Sequence, residues 1–120
     1  MRRRWVAAAL AALALTGCSA LGTAGSDPHG DLRFLVPNAP GGGYDTTARI
    51  AAQALEEDGI TGRTEIFNVE GASGVVGLAR TVHERGNPDL MMMMGLGVVG
   101  AVYANHARVD LDEVTPIARV

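Results

Sequence analysis

The sequence predicts an α/β fold built on a parallel sheet with crossover helices, and three observations carry that expectation. From Leu32 onward, apolar stretches alternate with helix-patterned ones in the order strand, helix, strand, helix, strand, helix, strand. Glycine-bearing turns join strand to following helix at Pro37–Thr46, Asn68–Gly74 and Gly95–Val98. The run Leu90–Met94 has no polar alternation, as suits a central strand buried on both faces.

Taken in order, Leu32-Arg33-Phe34-Leu35-Val36 reads as the first strand, stopped by Pro37 and Pro40. A helix is expected from Thr46 to Asp58, with Asp45 as its N-cap and Ala48, Ala51, Ala52 and Leu55 on one face at three-and-four spacing; Gly59 ends it. Arg63–Val69 reads as the second strand. Ser73 is expected to cap a second helix whose apolar face is Val75, Leu78, Ala79 and Val82, stopped by Gly86-Asn87-Pro88. After Leu90–Met94 come a shorter helix from Val98 to Asn105 and a fourth strand at Thr115–Val120. No internal repeat interrupts this order.

The chain is expected to divide into a signal peptide (1–17), a tether (18–31) and a partial first lobe (32–120). Arg2, Arg3 and Arg4 followed by the apolar run Trp5–Leu15 read as a secretory signal, too short to span a membrane stably. Leu15-Thr16-Gly17-Cys18 resembles the lipobox at which bacterial lipoproteins are cut and acylated, and Cys18 is the only cysteine, so lipidation at Cys18 is expected. Removing residues 1–17 takes away three arginines and leaves seven against 13 Asp and Glu, a net charge of −6. There is no lysine anywhere and no basic run in the mature chain, which argues against a nucleic-acid partner. About 90 residues then remain for one small domain or part of a larger one, and the reading is of the first part of a longer protein.

The first turn, Ala39-Pro40-Gly41-Gly42-Gly43-Tyr44-Asp45-Thr46, has the composition of an anion cradle. Glycines let backbone approach a ligand, and free amides at a helix start favour negative charge. The pattern recurs at Gly71-Ala72-Ser73-Gly74 and, less fully, at Gly95 and Gly97. In a parallel sheet all three turns leave the carboxyl ends of strands, where open α/β folds place a ligand crevice. As N-cap, Asp45 would accept from the Thr47 or Ala48 amide and leave the Gly41–Tyr44 amides for a ligand. Tyr44 and Thr46 add hydroxyls, and Arg49 lies one turn into the helix.

Other chemistry finds less support. Gly95-Leu96-Gly97-Val98-Val99-Gly100 fits the dinucleotide pattern but follows the third strand, and no ribose-binding acid ends the next. A P-loop needs a lysine. Met91-Met92-Met93-Met94 offers soft copper ligands, yet strand alternation puts at most two on one side, which favours core packing. His29, His83 and His106 lack metal-ligand spacing, no nucleophile–base arrangement is visible, and no catalytic residue, metal or cofactor is expected.

Three blocks in this order resemble the extracytoplasmic solute-binding receptors of tripartite tricarboxylate transporters, the Bug receptor family: Val36–Asp45 with Ala48-Arg49, Asn68–Gly77, and Asp89–Tyr103 followed by Thr115-Pro116-Ile117-Ala118. The resemblance implies a two-lobed periplasmic-binding-protein fold of type II and a non-enzymatic receptor for a di- or tricarboxylate such as citrate; the expectation for this chain is part of the first lobe, the second lobe missing being a departure from the family. It also implies delivery to the membrane components of a transporter, and with the lipobox at Cys18 the expected location is lipid-anchored at the outer face of the cell membrane or in the periplasm. Carried over, Ala39–Thr46 and Glu70–Gly74 would grip a ligand carboxylate through backbone amides and ordered water, with the Gly95 loop as a third contributor. Glu70 departs from the family, where many members have proline. The alternatives are an exported receptor for another small anion or metabolite, and a dinucleotide-binding enzyme domain.

Overall fold

The computed structural model describes residues 30–120. The expected signal peptide, the lipidation site Cys18 and all but the end of the tether lie outside the described residues. Three parallel strands, β1 (Leu32–Val36), β2 (Thr64–Asn68) and β3 (Leu90–Met92), form a sheet in the order β2-β1-β3. Its register pairs Leu32 with Thr64 and Val36 with Asn68 on one side of β1, and Arg33 with Leu90 and Leu35 with Met92 on the other. Helices α1 (Gly43–Glu57) and α2 (Val75–His83) carry the chain from β1 to β2 and from β2 to β3, and α3 (Leu96–Ala104) follows β3, so the expected α/β lobe is present.

The central strand is β1, not the methionine run. Every residue of β1 but Arg33 is buried, as a strand flanked on both edges and covered on both faces requires. Phe34 and Val36 pack with Ala48 of α1 and with Met93, while Met91 joins the edge of that cluster. Leu78 of α2 packs with Val98 and Val102 of α3 on the opposite face, and Met92 and Met94 join there. The four methionines therefore alternate between two hydrophobic layers, as strand geometry demands. Alanines at 48 and 52 let α1 lie close to the sheet. Leu35, Val36, Leu78 and Val98 are the largest buried hydrocarbon anchors, each contributing roughly 1.5–3 kcal/mol of transfer free energy.

Away from the glycine turns, Arg33 ties β1 to the end of α2. Its Nη1 donates to Glu84 Oε2 at 2.9 Å, and Arg80 Nε and Asn87 Nδ2 donate to the same carboxylate. Partial burial opposes ionisation of Glu84, but the hydrogen bonds from Arg33 and Asn87 outweigh it and hold the carboxyl below its usual range. Arg33 and Arg80 also lie over the Phe67 ring, at 4.9 and 5.3 Å.

Several boundaries differ from expectation. The first helix begins at Gly43 rather than Thr46, because Gly42 takes the extended cap conformation and Asp45 falls inside the first turn. Ser73 does not cap α2: a 3₁₀ turn over Ala72–Gly74 precedes it and left-handed Gly74 is its N-cap. The helix α3 starts two residues earlier than Val98. Residues 115–120 form no strand, since they have no ladder partner among the described residues; Ile117 and Val120 are exposed.

Within α3, Gly100 is exposed and a methyl group there would meet no atom within 4 Å. Gly100→Ala is expected to raise stability by about 0.5–1 kcal/mol through helix propensity alone, read as a higher urea midpoint at unchanged m-value.

Candidate functional site

Because the sheet is parallel, the turns after β1, β2 and β3 emerge at one end, with the β1 turn between the other two. They meet around a cavity of about 330 Å³ lined by Asn38, Gly42, Gly43, Tyr44, Ser73 and Gly97. Five of the residues singled out from sequence thus share one cavity. Asn38 joins them unannounced, although it lies within the first quoted motif.

Asp45 explains the shape of the first turn. It is 2% exposed, and its Oδ2 accepts from the Gly41 amide at 2.9 Å and from Arg49 Nε at 2.8 Å. Its Oδ1 accepts from Arg49 Nη2 and from Asn68 Nδ2, both at 3.1 Å. The expected bonds from the Thr47 or Ala48 amide do not form. A glycine cap has no side chain to offer, so the third helical residue reaches back to the preceding loop, as acidic residues do in capping boxes. The Arg49 hydrogen bond first, then those from Gly41 and Asn68, hold the Asp45 carboxyl far below the usual carboxylate range against the opposing effect of burial. Arg49 is correspondingly pushed up by Asp45.

A free carboxylate beside an anion cradle would repel its guest, but Asp45 does not stand free. Asp45 is paired with a guanidinium and faces the loop backbone, not the cavity lining. It also changes which amides are available. Gly41 donates to Asp45, and Gly42 to the Ala39 carbonyl at 3.4 Å. Thr46 donates to the Gly42 carbonyl, which leaves the Gly43, Tyr44 and Asp45 amides without an acceptor among the described residues, as the first turn of a helix must. Ala39, Pro40 and Thr46 are exposed outside the lining.

The second turn is strained. Gly71, Ala72, Ser73 and Gly74 all have positive φ (138°, 46°, 54° and 97°), and two of them carry side chains that disfavour it. The Gly74 amide donates to the Gly71 carbonyl at 2.9 Å and closes the turn, so that Ser73 reaches the cavity lining while Gly71, Ala72 and Gly74 support it from outside. Asn68, at the end of β2, binds the two turns together: its Nδ2 donates to the Asn38 carbonyl at 2.8 Å as well as to Asp45. In the third turn, Gly97 lines the cavity and Gly95 lies against the Tyr44 ring.

No family model matches the chain. It is 27% identical over 99 residues to a curated protein of Agrobacterium vitis, the "UPF0065 protein in the TAR-I ttuE-ttuC' intergenic region". The chain is similar to a UPF0065 protein. The aligned region covers 79% of this chain but 28% of that relative, so the chain spans little more than a quarter of the relative's length. No solved structure matches.

The site's chemistry is that of a neutral donor set. Its lining holds backbone glycines, an asparagine amide and two hydroxyls, and no charged side chain. Such a set binds an anion by directed hydrogen bonds rather than by net charge. The dinucleotide alternative fits the geometry less well. That fingerprint uses its third glycine for close helix–strand packing, whereas Gly100 faces open space.

Proposed function

We propose that this chain provides one ligand-gripping lobe of an exported, lipid-anchored receptor that captures a di- or tricarboxylate for a tripartite tricarboxylate transporter. The observation that carries the reading is the meeting of three strand-end turns on one uncharged cavity, with the Gly43, Tyr44 and Asp45 amides left without acceptors at the start of α1. Similarity to a UPF0065 protein, a family that corresponds to the Bug receptors, supports a binding protein rather than an enzyme. The lipobox-like Leu15–Cys18 supports export and anchoring.

A residue-resolved titration tests the ligand class at the weak affinity expected of a single lobe. In ¹H–¹⁵N spectra of the full chain, citrate in the millimolar range is expected to move the Gly43, Tyr44, Asp45, Ser73 and Gly97 amides selectively. Equal shifts with phosphate or sulfate would favour a general anion receptor. No localised shift with any carboxylate would remove the reading.

A further inference from the structure

We infer that Tyr44 is the specificity-determining side chain of this cavity and that Gly95 is a glycine in order to hold it there; the ligand part of this inference rests on the carboxylate reading above. Gly95 has φ −160° and ψ −173°, extended backbone that any residue adopts. Its identity is therefore not set by its own conformation. A Cβ at this position would overlap the Tyr44 hydroxyl oxygen and stand 2.8 Å from Cε1 and 2.9 Å from Cζ, far inside contact distance. At Gly97 a Cβ would still lie 3.4 Å from the same hydroxyl. The third turn thus serves as a flat platform beneath the phenol.

Tyr44 also touches both hydrophobic clusters, one on each side of the sheet, so its ring is braced from the α1 layer and from the α2–α3 layer. Its hydroxyl makes no hydrogen bond to any described residue, yet no fully buried side-chain polar atom there lacks a partner. The phenol oxygen is therefore reached by solvent. Tyr44 lines the cavity between the amide-bearing first turn of α1 and Gly97 in the first turn of α3. A rigid, neutral donor in that place adds one hydrogen bond to a carboxylate oxygen and limits how far a ligand extends toward α3.

Two measurements on the full chain test this, with citrate as probe. Tyr44→Phe is expected to weaken citrate binding roughly tenfold, the usual loss for a hydrogen bond to a charged acceptor, without moving the unfolding midpoint comparably. Gly95→Ala is expected to weaken binding and lower the midpoint, and that destabilisation is expected to disappear in a Tyr44→Ala background, where the obstructing ring is gone. Equal citrate affinity for wild type and Tyr44→Phe would overturn the hydroxyl's role while leaving the carboxylate reading intact. If wild type binds no citrate, the carboxylate reading fails and takes the hydroxyl's role with it. Additive effects at 44 and 95 in the stability cycle would overturn the platform whatever the ligand result.

Discussion

Gly74→Ala is expected to lower the melting temperature by at least about 10 °C, the combined result of two costs that arise independently. At φ 97° an alanine is in backbone territory that costs a residue with a Cβ roughly 1–2 kcal/mol. The new methyl would then stand 2.7 Å from Val98 Cγ2 and 3.2 Å from Pro37 Cβ, adding an overpacking penalty of about 1–3 kcal/mol. Neither neighbour can yield easily. Val98 is fully buried among Leu78 and Val102, and Pro37 is fully buried in the rigid exit from β1. A scanning-calorimetry midpoint unchanged within error would show that the Gly74 turn relaxes freely, and would remove the claim that the three turns are packed into one unit.

The same residue shows where sequence reading succeeds and where it stops. The alternation of apolar and helix-patterned stretches is a local signal, and it matches the order of the three strands and three helices, the parallel sheet and the convergence of the three turns, but not the expected fourth strand at Thr115–Val120. Gly71 and Gly74 were legible as a turn because glycine there breaks both periodicities. Their separate duties were not: Gly74 admits Val98 and Pro37, while Gly71 admits Val76, with a Cβ there only 2.7 Å from Val76 Cγ2. Such contacts join distant segments or depend on the exact path of a turn, and no spacing rule encodes them. Asp45 departs from the expected capping role for a related reason. Spacing fixed its place near a helix start, but whether it caps forward or reaches back depends on Gly41, Arg49 and Asn68 being brought together by the sheet. The methionine run packs into the core, but at the edge of the sheet and not at its centre, since continuous apolarity reports burial and does not say which position in the sheet is occupied.

Asp45→Asn is expected to loosen the whole first turn and to do so in a pH-dependent way whose direction follows from the native pairing. Asp45 has a folded-state pKa depressed below its unfolded value of about 3.9, so its stabilisation is present above that value and is lost as pH falls toward the folded-state pKa. Asparagine keeps the volume but loses the charge, leaving Arg49 without its counter-ion and the Gly41 amide and Asn68 with a weaker acceptor. Wild type is therefore expected to exceed the variant in urea midpoint by a constant margin from pH 8 to about pH 5, with the gap closing below about pH 4. Because Arg49 is half-exposed, salt is expected to shrink part of the margin, while the hydrogen bonds donated by the uncharged Gly41 amide and Asn68 side chain resist it. The consequence for the cavity follows from geometry. With the Gly41 tether weakened, Gly42 and Gly43 are no longer fixed in the lining, and the amides of the first turn of α1 lose their common aim. Citrate shifts in the variant are then expected to be smaller and to spread beyond Gly43–Asp45. A stability gap that stays constant down to pH 2 would show that the charge on Asp45 is not what holds the loop.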